Sequence, residues 1–577
     1  MATIHTLESE IPTPSDEAAP LRVGILINSF LMPHWAYHIL NEIQKVKGAD
    51  LVVIVTTGDK TVKPVCSDQV APRLLQFWRD LDRTFFCRRS AHHDAFEMVR
   101  FTPANGAAII SHCAQSENDR WSTDTLARLR AMQLDVLLNL SSTEPRRELQ
   151  GIAKHGLWWF GDAEDLLTNL FWLLYEQEAV IENTLNISSS EFGTATLAGC
   201  YSAADRYSLF RNLTETYWKR WAAVHRGLNE IRRDGRQPYW DGLVTLAASS
   251  HRTPGNGQCA RLLIRLLGRM LRDRSMKFLE CEEWFIAFRK MLATGRVMPG
   301  NSDFTLLRPP SGHFYADPFV IERDGKAFIF FEDYSYASRK AVISFITIDS
   351  GGACSAPDLA LEEDYHLAYP CLFEHNGEIY LLPETKNHGT IQLYRALDFP
   401  RRWELSHVLR ERVSAVDSTL LQHSGKFWLF TSGLNSANPW FDGDSELLLF
   451  FADTLRGPWM AHPKNPIATD VRNCRGAGQI QKWNGQLIRP AQDCSTIYGH
   501  AVVLNHIDVL CESEYRETPV AIIGPDWLNH NLGTHTFNCS RSYEVVDGRR
   551  LVGRLLNNHH SVRFEKTTRV KPLFQRL

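Results

Sequence analysis

The sequence predicts a multidomain chain of mixed class: a doubly wound α/β domain over residues 21–200, a helical connector over 201–300, and an all-β, five-bladed propeller over 301–577. Three observations predict it. Buried-strand and amphipathic-helix patterns alternate through the first part, the middle reads mostly helical, and the last part carries a glycine-centred repeat. A chain of 577 residues also exceeds what one hydrophobic core organises, so two or three domains are expected.

Residues 1–20, "MATIHTLESEIPTPSDEAAP", are polar, acidic and proline-containing; they read as a disordered leader without the apolar core of a secretory signal. "LRVGILINSF" (21–30) then has the apolar character of a strand buried on both faces. In "PHWAYHILNEIQKV", Trp35, Ile39, Ile43 and Val46 recur at helical spacing, and "ADLVVIVTTGDK" is a second buried strand. "DTLARLRAMQ" reads as a helix and "LDVLLNLSS" as a further strand, which gives the strand–helix–strand alternation of a doubly wound sheet. No dinucleotide fingerprint accompanies it: the first strand runs into Asn28-Ser29-Phe30 rather than a glycine-rich turn.

The connector opens with the long amphipathic pattern "LFRNLTETYWKRWAAVHRGLNEIRRDG", and a loop of breakers, "SHRTPGNGQ" (250–258), interrupts it. In "ARLLIRLLGRMLRDR", Arg261, Arg265 and Arg269 share one helix face, opposite a stripe of Leu262, Leu263, Leu266, Leu267, Met270 and Leu271. An interdomain helix with a solvated basic face is the plainer reading. The sharper one is peripheral contact of residues 260–277 with an anionic membrane surface.

The propeller rests on four copies of one pattern. "RDGKAFIFFE", "HNGEIYLLPE", "HSGKFWLFTS" and "WNGQLIRPAQD" align on Gly325, Gly377, Gly425 and Gly485, with "VDGRRLVG" around Gly548 as a looser fifth. The spacings are 52, 48, 60 and 63 residues. Each copy reads as a hairpin turn followed by a strand, and a repeat of that length fits one four-stranded blade. Eight residues before the glycines stand Asp317, Tyr369, Asp417 and Ala477; seven after them stand Glu332, Glu384, Ser432 and Gln492, with Asp493 next. Equivalent positions in a propeller lie at similar depth around one axis. Asp317, Glu384, Asp417 and Asp493 are therefore the candidate catalytic set, and Tyr369, Arg489, Gln492 and His535 the candidate substrate contacts. Converging carboxylates suit glycosyl transfer or hydrolysis, which needs one ionised base and one protonated acid. For any single aspartate, capping a turn amide is the commoner role.

Two resemblances extend this reading. "LRVGILINSF", "LDVLLNLSS" and "GIAKHGLWWFG" make residues 21–200 resemble the formyltransferase fold, whose members place Asn and His after a late strand to move a formyl group from a folate cofactor. Alignment on Gly156 puts Trp159 at the Asn place and Gly161 at the His place, with Asp162 beside it and Glu191 the lone acid near the family's downstream Asp. The resemblance thus implies a degenerate scaffold without a folate cofactor. "FYADPFV", "YHLAYPCLFEHNGEIYLLPET", "AVDSTL", "GPWMAHPKNP", "RPAQDCS" and "GTHTFN" make residues 303–577 resemble the N-terminal region of plant glucosamine inositolphosphorylceramide transferases, which is itself similar to the five-bladed propellers of glycoside hydrolase family 43. Family 43 enzymes use a base, a pKa modulator and a proton donor. That resemblance implies the base role for Asp317, with Tyr369 standing on the second blade where a carboxylate is expected.

Composition narrows the classes. Net charge is −3, which gives no field for nucleic acid. No apolar run of about 18 residues is present, so no membrane-spanning helix is expected. The twelve cysteines are scattered without CxxC pairs, as in reduced cytoplasmic proteins. No HExxH or paired His/Cys spacing occurs, so no metal is expected, a calcium ion in the propeller pore being the one metal the pattern leaves open. The expectation is a cytoplasmic, carbohydrate-active protein of surface-polysaccharide or glycolipid biosynthesis, taking a sugar, sugar nucleotide or glycolipid and no further cofactor. Its alternatives are a formyl- or acyl-group transferase acting on an amino sugar and a non-catalytic glycan-binding assembly protein.

Overall fold

The computed structural model describes residues 19–46, 48–57, 72–87, 94–103, 106–112, 121–141, 147–161, 166–189, 193–234, 252–291, 304–434, 446–553, 561–567 and 573–576. The chain divides into two compact units, one ending at Met270 and one beginning at Leu271.

The first unit is built on a seven-stranded sheet. Its spatial order is Ala108–Ser111, Ala49–Thr56, Leu21–Ile27, Val136–Asn139, Leu157–Phe160, Val180–Ser189 and Gly193–Ala203. The first five strands are parallel and the last two turn antiparallel. Leu21–Ile27 is central and exposes only Arg22 among its side chains, as a strand covered on both faces must. The chain reverses direction of growth beside this strand, so the crevice at the carboxyl ends of Leu21–Ile27 and Val136–Asn139 is the topological switch point. The helix Leu209–Asp234 belongs to this unit: Asn183 Nδ2 donates to Thr216 O at 2.8 Å, and Arg226 donates to Gly199 O at 3.0 Å.

The second unit is a five-bladed propeller. Blade 1 comprises His313–Arg323, Lys326–Ser335, Lys340–Ile348 and Asp358–Leu361. Blade 2 comprises Ala368–His375, Glu378–Glu384, Thr390–Asp398 and Arg402–Glu411, and blade 3 Ser414–His423, Lys426–Leu434, Leu447–Ala452 and Met460–Ala461. Blade 4 comprises Gln481–Trp483, Gln486–Asp493, Ala501–Leu510 and Tyr515–Ile523, edged by Gln575–Arg576. The four aligned glycines make identical hairpins. Asp324-Gly325, Asn376-Gly377, Ser424-Gly425 and Asn484-Gly485 all carry positive φ at both residues, the conformation of a type I′ turn.

Blade 5 closes the ring with strands from both ends of the unit. Glu280–Lys290 and Thr305–Arg308 precede blade 1, whereas Phe537–Cys539, Tyr543–Gly553 and Arg563–Lys566 follow blade 4. Glu280–Lys290 pairs with Tyr543–Gly553 over its whole length. This differs from the helical connector expected over 201–300. "ECEEWFIAFRK" follows a helix without a turn residue, and its partner strand lies at the far end of the chain, so nothing local marks it. The looser fifth copy also differs. Gly548 is in mid-strand opposite Phe285, not in a hairpin turn, and a side chain there would meet that ring at 2.5 Å.

Candidate functional site

Three blades share one backbone irregularity. The pairing of the innermost strand breaks between Ala316 and Phe319, between Ala368 and Cys371, and between Val416 and Thr419. At each break one residue takes a left-handed conformation: Asp317 at φ 52°, Tyr369 at 44° and Asp417 at 49°. Such values are uncommon outside glycine and rarer still for a bulky side chain. These are the residues that stand eight before the repeat glycines, so the sequence alignment has a backbone counterpart.

Each bulge turns an amide toward a neighbouring blade's carboxylate. Tyr369 N–H donates to Asp317 Oδ2, Asp417 N–H to Glu384 Oε2, and Asp317 N–H to Asp547 Oδ2, all at 3.3 Å. Side chains from blades 5, 1, 2 and 3 are thereby drawn into one group. Asp317 Oδ1 also accepts from Thr536 Oγ1 at 2.7 Å and stands 3.4 Å from His535 Nε2. His535 Nδ1 makes an ion-pair contact of 2.5 Å with Asp547 Oδ2, while Asp547 Oδ1 accepts the amides of His535 and Thr536 at 2.8 and 3.0 Å.

The charges of this group act on one another. Burial raises the Asp317 carboxyl to about 6; His535 opposes the rise and the Asp417 and Asp547 carboxylates add to it. Burial also lifts Glu384 to about 8, with Asp417 and Asp317 adding and Arg475 and Lys386 opposing. Glu332 is pushed well above the carboxylate range by burial and by Asp317, Glu384 and Asp417 together, and His366 Nε2 stands 3.4 Å from it. Desolvation penalises the charged form, and each further carboxylate compounds the penalty. Asp417 is held differently: its Oδ2 accepts from Arg475 Nε at 2.5 Å and from Gln492 Nε2 at 3.0 Å. Two aromatic rings border the cluster. Tyr498 lies 4.9 Å from the Arg475 guanidinium and is 43% exposed, and Trp284 packs 4.3 Å from the His535 ring.

The structure thus brings together Asp317, Glu384, Asp417, Gln492 and His535. Tyr369 joins them through its amide, while its hydroxyl is bonded to Thr419 Oγ1 at 2.8 Å and receives Gly478 N–H at 2.7 Å in the core. Asp493 and Arg489 have other partners. Asp493 Oδ1 caps the Ser495 amide at 2.9 Å, and buried Arg489 forks onto Glu517 at 2.8 and 2.6 Å within blade 4. Glu332, Asp547, Arg475 and Tyr498 were not among the expected residues. Glu332 is the blade-1 counterpart of Glu384, a signal present in the repeat. Asp547 sits in the loosest copy, and Arg475 and Tyr498 fall outside the aligned segments. Asp317, His535 and Asp547 offer ligand atoms all within 4.8 Å of one another and could hold a cation. The Asp547 oxygens already serve three amides and His535, which accounts for the trio without one.

In the α/β unit, Trp159 lies in the strand Leu157–Phe160 opposite Asn186. Gly161 follows at the carboxyl end of that strand, where a side chain would stand 2.6 Å from Asn186 Nδ2. Asp162 and Glu191 lie outside the described residues. Nearby, the Arg220 guanidinium is caged by Tyr217, Phe160 and Trp35, at 3.9, 4.6 and 5.1 Å from their ring centres.

Comparison with known proteins bears on the propeller. The family described as glucosamine inositolphosphorylceramide transferase 1, N-terminal, matches residues 305–553, a segment that contains the whole carboxylate group. Glucosamine inositolphosphorylceramide transferase 1 of Oryza sativa subsp. japonica is 34% identical over 227 residues, 38% of this chain and 30% of the relative. The Arabidopsis thaliana protein of that name is 35% identical over 222 residues, 38% of this chain and 28% of the relative. The match therefore spans less than a third of either plant protein. Among solved structures, a family 117 glycoside hydrolase from Zobellia galactanivorans aligns with a TM-score of 0.29 and 12% identity, over 46% of this chain and 90% of its own. An exo-beta-1,3-galactanase from Phanerochaete chrysosporium aligns with a TM-score of 0.29 and 11% identity, over 49% and 92%.

Proposed function

We propose that this chain is a carbohydrate-active protein that takes a sugar, as a sugar nucleotide or glycolipid, at the carboxylate cluster of its propeller. The observation that carries the reading is the convergence of Asp317, Glu332, Glu384 and Asp417 from three blades onto one group in which Asp317, Glu384 and Asp417 raise the proton affinity of their neighbours. Near neutral pH, Glu384 at about 8 keeps its proton and Asp317 at about 6 has lost its own. Carboxyls pushed apart in this way divide into acid and base. In this reading Asp317 takes the proton of the attacking hydroxyl as the new bond to the sugar carbon forms. Glu384 gives its proton to the oxygen that departs, and Asp417, fixed by Arg475 and Gln492, holds the field around both. The likeness to the plant glucosamine inositolphosphorylceramide transferases supports glycosyl transfer over other sugar chemistry. A cytoplasmic site in surface-polysaccharide or glycolipid biosynthesis belongs to the same proposal.

The test measures nucleoside diphosphate released from a panel of sugar nucleotides and nitrophenol released from a panel of nitrophenyl glycosides, with purified protein. Asp317→Asn should cut turnover by about 10²–10⁴-fold with an almost unchanged melting temperature. Turnover that survives in Asp317→Asn would sink the assignment. A second reading, glycan binding without chemistry, is favoured by one observation: both Asp317 oxygens already accept protein hydrogen bonds. Calorimetric binding of a panel sugar that shows no turnover would decide for it.

For the α/β unit we propose a formyltransferase-like scaffold that has lost formyl transfer. Neither an indole at residue 159 nor a glycine at 161 can move a proton at the formyl carbon, and the Arg220 cage occupies the neighbouring space. Incubation with formyl-tetrahydrofolate and amino-sugar nucleotides should yield no formylated product by mass spectrometry; product above a protein-free control would overturn this.

A further inference from the structure

The helix Asn256–Leu279 has two apolar sides, and among the described residues only one of them is packed. Cys259, Leu262 and Leu266 are buried. The arginine row is also engaged: Arg261 reaches Tyr175 Oη at 3.4 Å, Arg265 lies 4.9 Å over the Tyr175 ring, and Arg269 donates to Arg206 O and Gln177 Oε1 at 2.9 and 3.0 Å. The leucine stripe of the sequence is therefore split, and the arginines help to moor the helix rather than forming a free basic face. What remains outward is Ile264 at 70% exposure, Leu267 at 60%, Leu271 at 69% and Phe278 at 80%. At about 100° per residue these four fall within an arc of about 60°, so they form one continuous line along more than three turns.

Such a line is costly to leave in water and rare on a monomer surface. The charge around it identifies what covers it. The helix carries six basic residues and a single acid, Asp273, in a chain whose net charge is −3. Arg272, Arg274 and Lys277 are exposed along the half that holds Leu271 and Phe278. A narrow apolar line flanked by cations on a 24-residue helix is the form that lies in a membrane interface, its apolar side chains among the acyl chains and its cations at the phosphates.

We propose that Asn256–Leu279 seats this protein on an anionic lipid surface through Ile264, Leu267, Leu271 and Phe278, with Arg272, Arg274 and Lys277 at headgroup level. The surface shares no residue with the sugar cluster, and the proposal stands whether or not that cluster is catalytic. It is tested by flotation of the full chain with mixed phosphatidylglycerol–phosphatidylcholine vesicles and with pure phosphatidylcholine vesicles. Strong partition to the mixed vesicles and little to the neutral ones is expected. Replacing Arg272, Arg274 and Lys277 together by Ser should weaken partition by about a hundredfold, at roughly a tenfold or smaller loss per cation. The pair Leu267→Glu and Leu271→Glu should abolish it. All these positions are exposed, so the melting temperature should hold, and Leu267→Ser with Leu271→Ser serves as the milder variant if it does not. Equal partition to both vesicle types, or partition untouched by all variants, would overturn the proposal. So would a dimer in light scattering that Leu271→Glu converts to monomer, since a second copy would then be what covers the line.

Discussion

Beside the end of the strand Leu157–Phe160 the α/β unit packs aromatic rings about a cation, whereas the propeller gathers carboxylates where its blades meet. In the first place Trp35, Phe160 and Tyr217 close around Arg220. In the second, Asp317, Glu332 and Glu384 are held together around Asp417 despite the desolvation that these three suffer. The two folds bring residues to a point by different means. A doubly wound sheet offers a crevice at one switch point, and what stands there is chosen residue by residue from separate loops. A propeller repeats one bulge, so a single backbone device recurs at Asp317, Tyr369 and Asp417 on three successive blades. Keeping buried like charges in contact works against stability. Aromatic packing around a cation works for it. Local strain of the propeller's kind concentrates where structures do chemistry.

The sharpest way to break this contrast is to remove the cation that holds the propeller group. Arg475→Met leaves Asp417 buried with its main partner gone, a change that typically costs about 3–5 kcal/mol. Chemical denaturation should show the propeller transition moving by that order. Arg475→Met combined with Asp417→Asn should recover most of the loss, as partners in one pair are strongly non-additive. Additive losses would mean that the two side chains stabilise the fold separately.

The same contrast gives the two units opposite responses to pH. Asp317 and Glu384 are raised by burial from ordinary carboxylate values to about 6 and about 8. Their folded forms bind protons more tightly than the unfolded chain does. The stability they contribute is complete below about pH 4 and is lost as pH rises toward 8. In the α/β unit, burial lowers His225 to about 4, with Glu42 opposing. The stability tied to its neutral form is present above about pH 6.5 and is lost as pH falls through 4. Calorimetry of the full chain should therefore show the propeller transition moving down, and the α/β transition moving up, between pH 5 and pH 8. Glu384→Gln should flatten the propeller's dependence alone. Transitions that move in parallel would remove the electrostatic basis of the comparison.

How much of this was legible in the sequence follows from how local each device is. The four hairpin turns were readable because Asp324-Gly325, Asn376-Gly377, Ser424-Gly425 and Asn484-Gly485 are local signatures of one turn type. Asp317, Glu384 and Asp417 were readable because the repeat fixes their distance from those turns. Glu280–Lys290 was not, since its ladder to Tyr543–Gly553 is made by ring closure. Arg475 and Tyr498 were not, because they enter from segments between the aligned copies and are defined only by what they touch. Asp493 shows the reverse: it sits one residue past the equivalent position, and since strand residues alternate faces its carboxylate turns away to cap Ser495 while Gln492 points at Asp417.

Two glycines test the contrast at the level of single atoms. Gly548 lies where a propeller strand crosses Phe285, and a Cβ would meet the ring at 2.5 Å and Asn531 Oδ1 at 2.8 Å. Both neighbours are buried, so Gly548→Ala should cost about 1–3 kcal/mol by overpacking, read as a lower denaturation midpoint of the propeller with an unchanged slope.

Gly161 offers the smaller effect. It is exposed, and among the described residues a Cβ there would come close to the end of the Asn186 side chain, at 2.6 Å, with Thr184 Oγ1 at an ordinary 3.6 Å. Asn186 is itself buried, with Oδ1 accepting from Thr196 Oγ1 at 3.3 Å and, among the described residues, no hydrogen-bond partner at Nδ2. An amide end of this kind can turn aside, so Gly161→Ala should shift the α/β transition by less than about 1 kcal/mol. On the formyltransferase-like scaffold we propose, the place of a proton-moving histidine would then be closed by one side chain rather than by the fold. If Gly161→Ala instead costs as much as Gly548→Ala, the amide of Asn186 is fixed there. In that case the sheet itself excludes a side chain at residue 161.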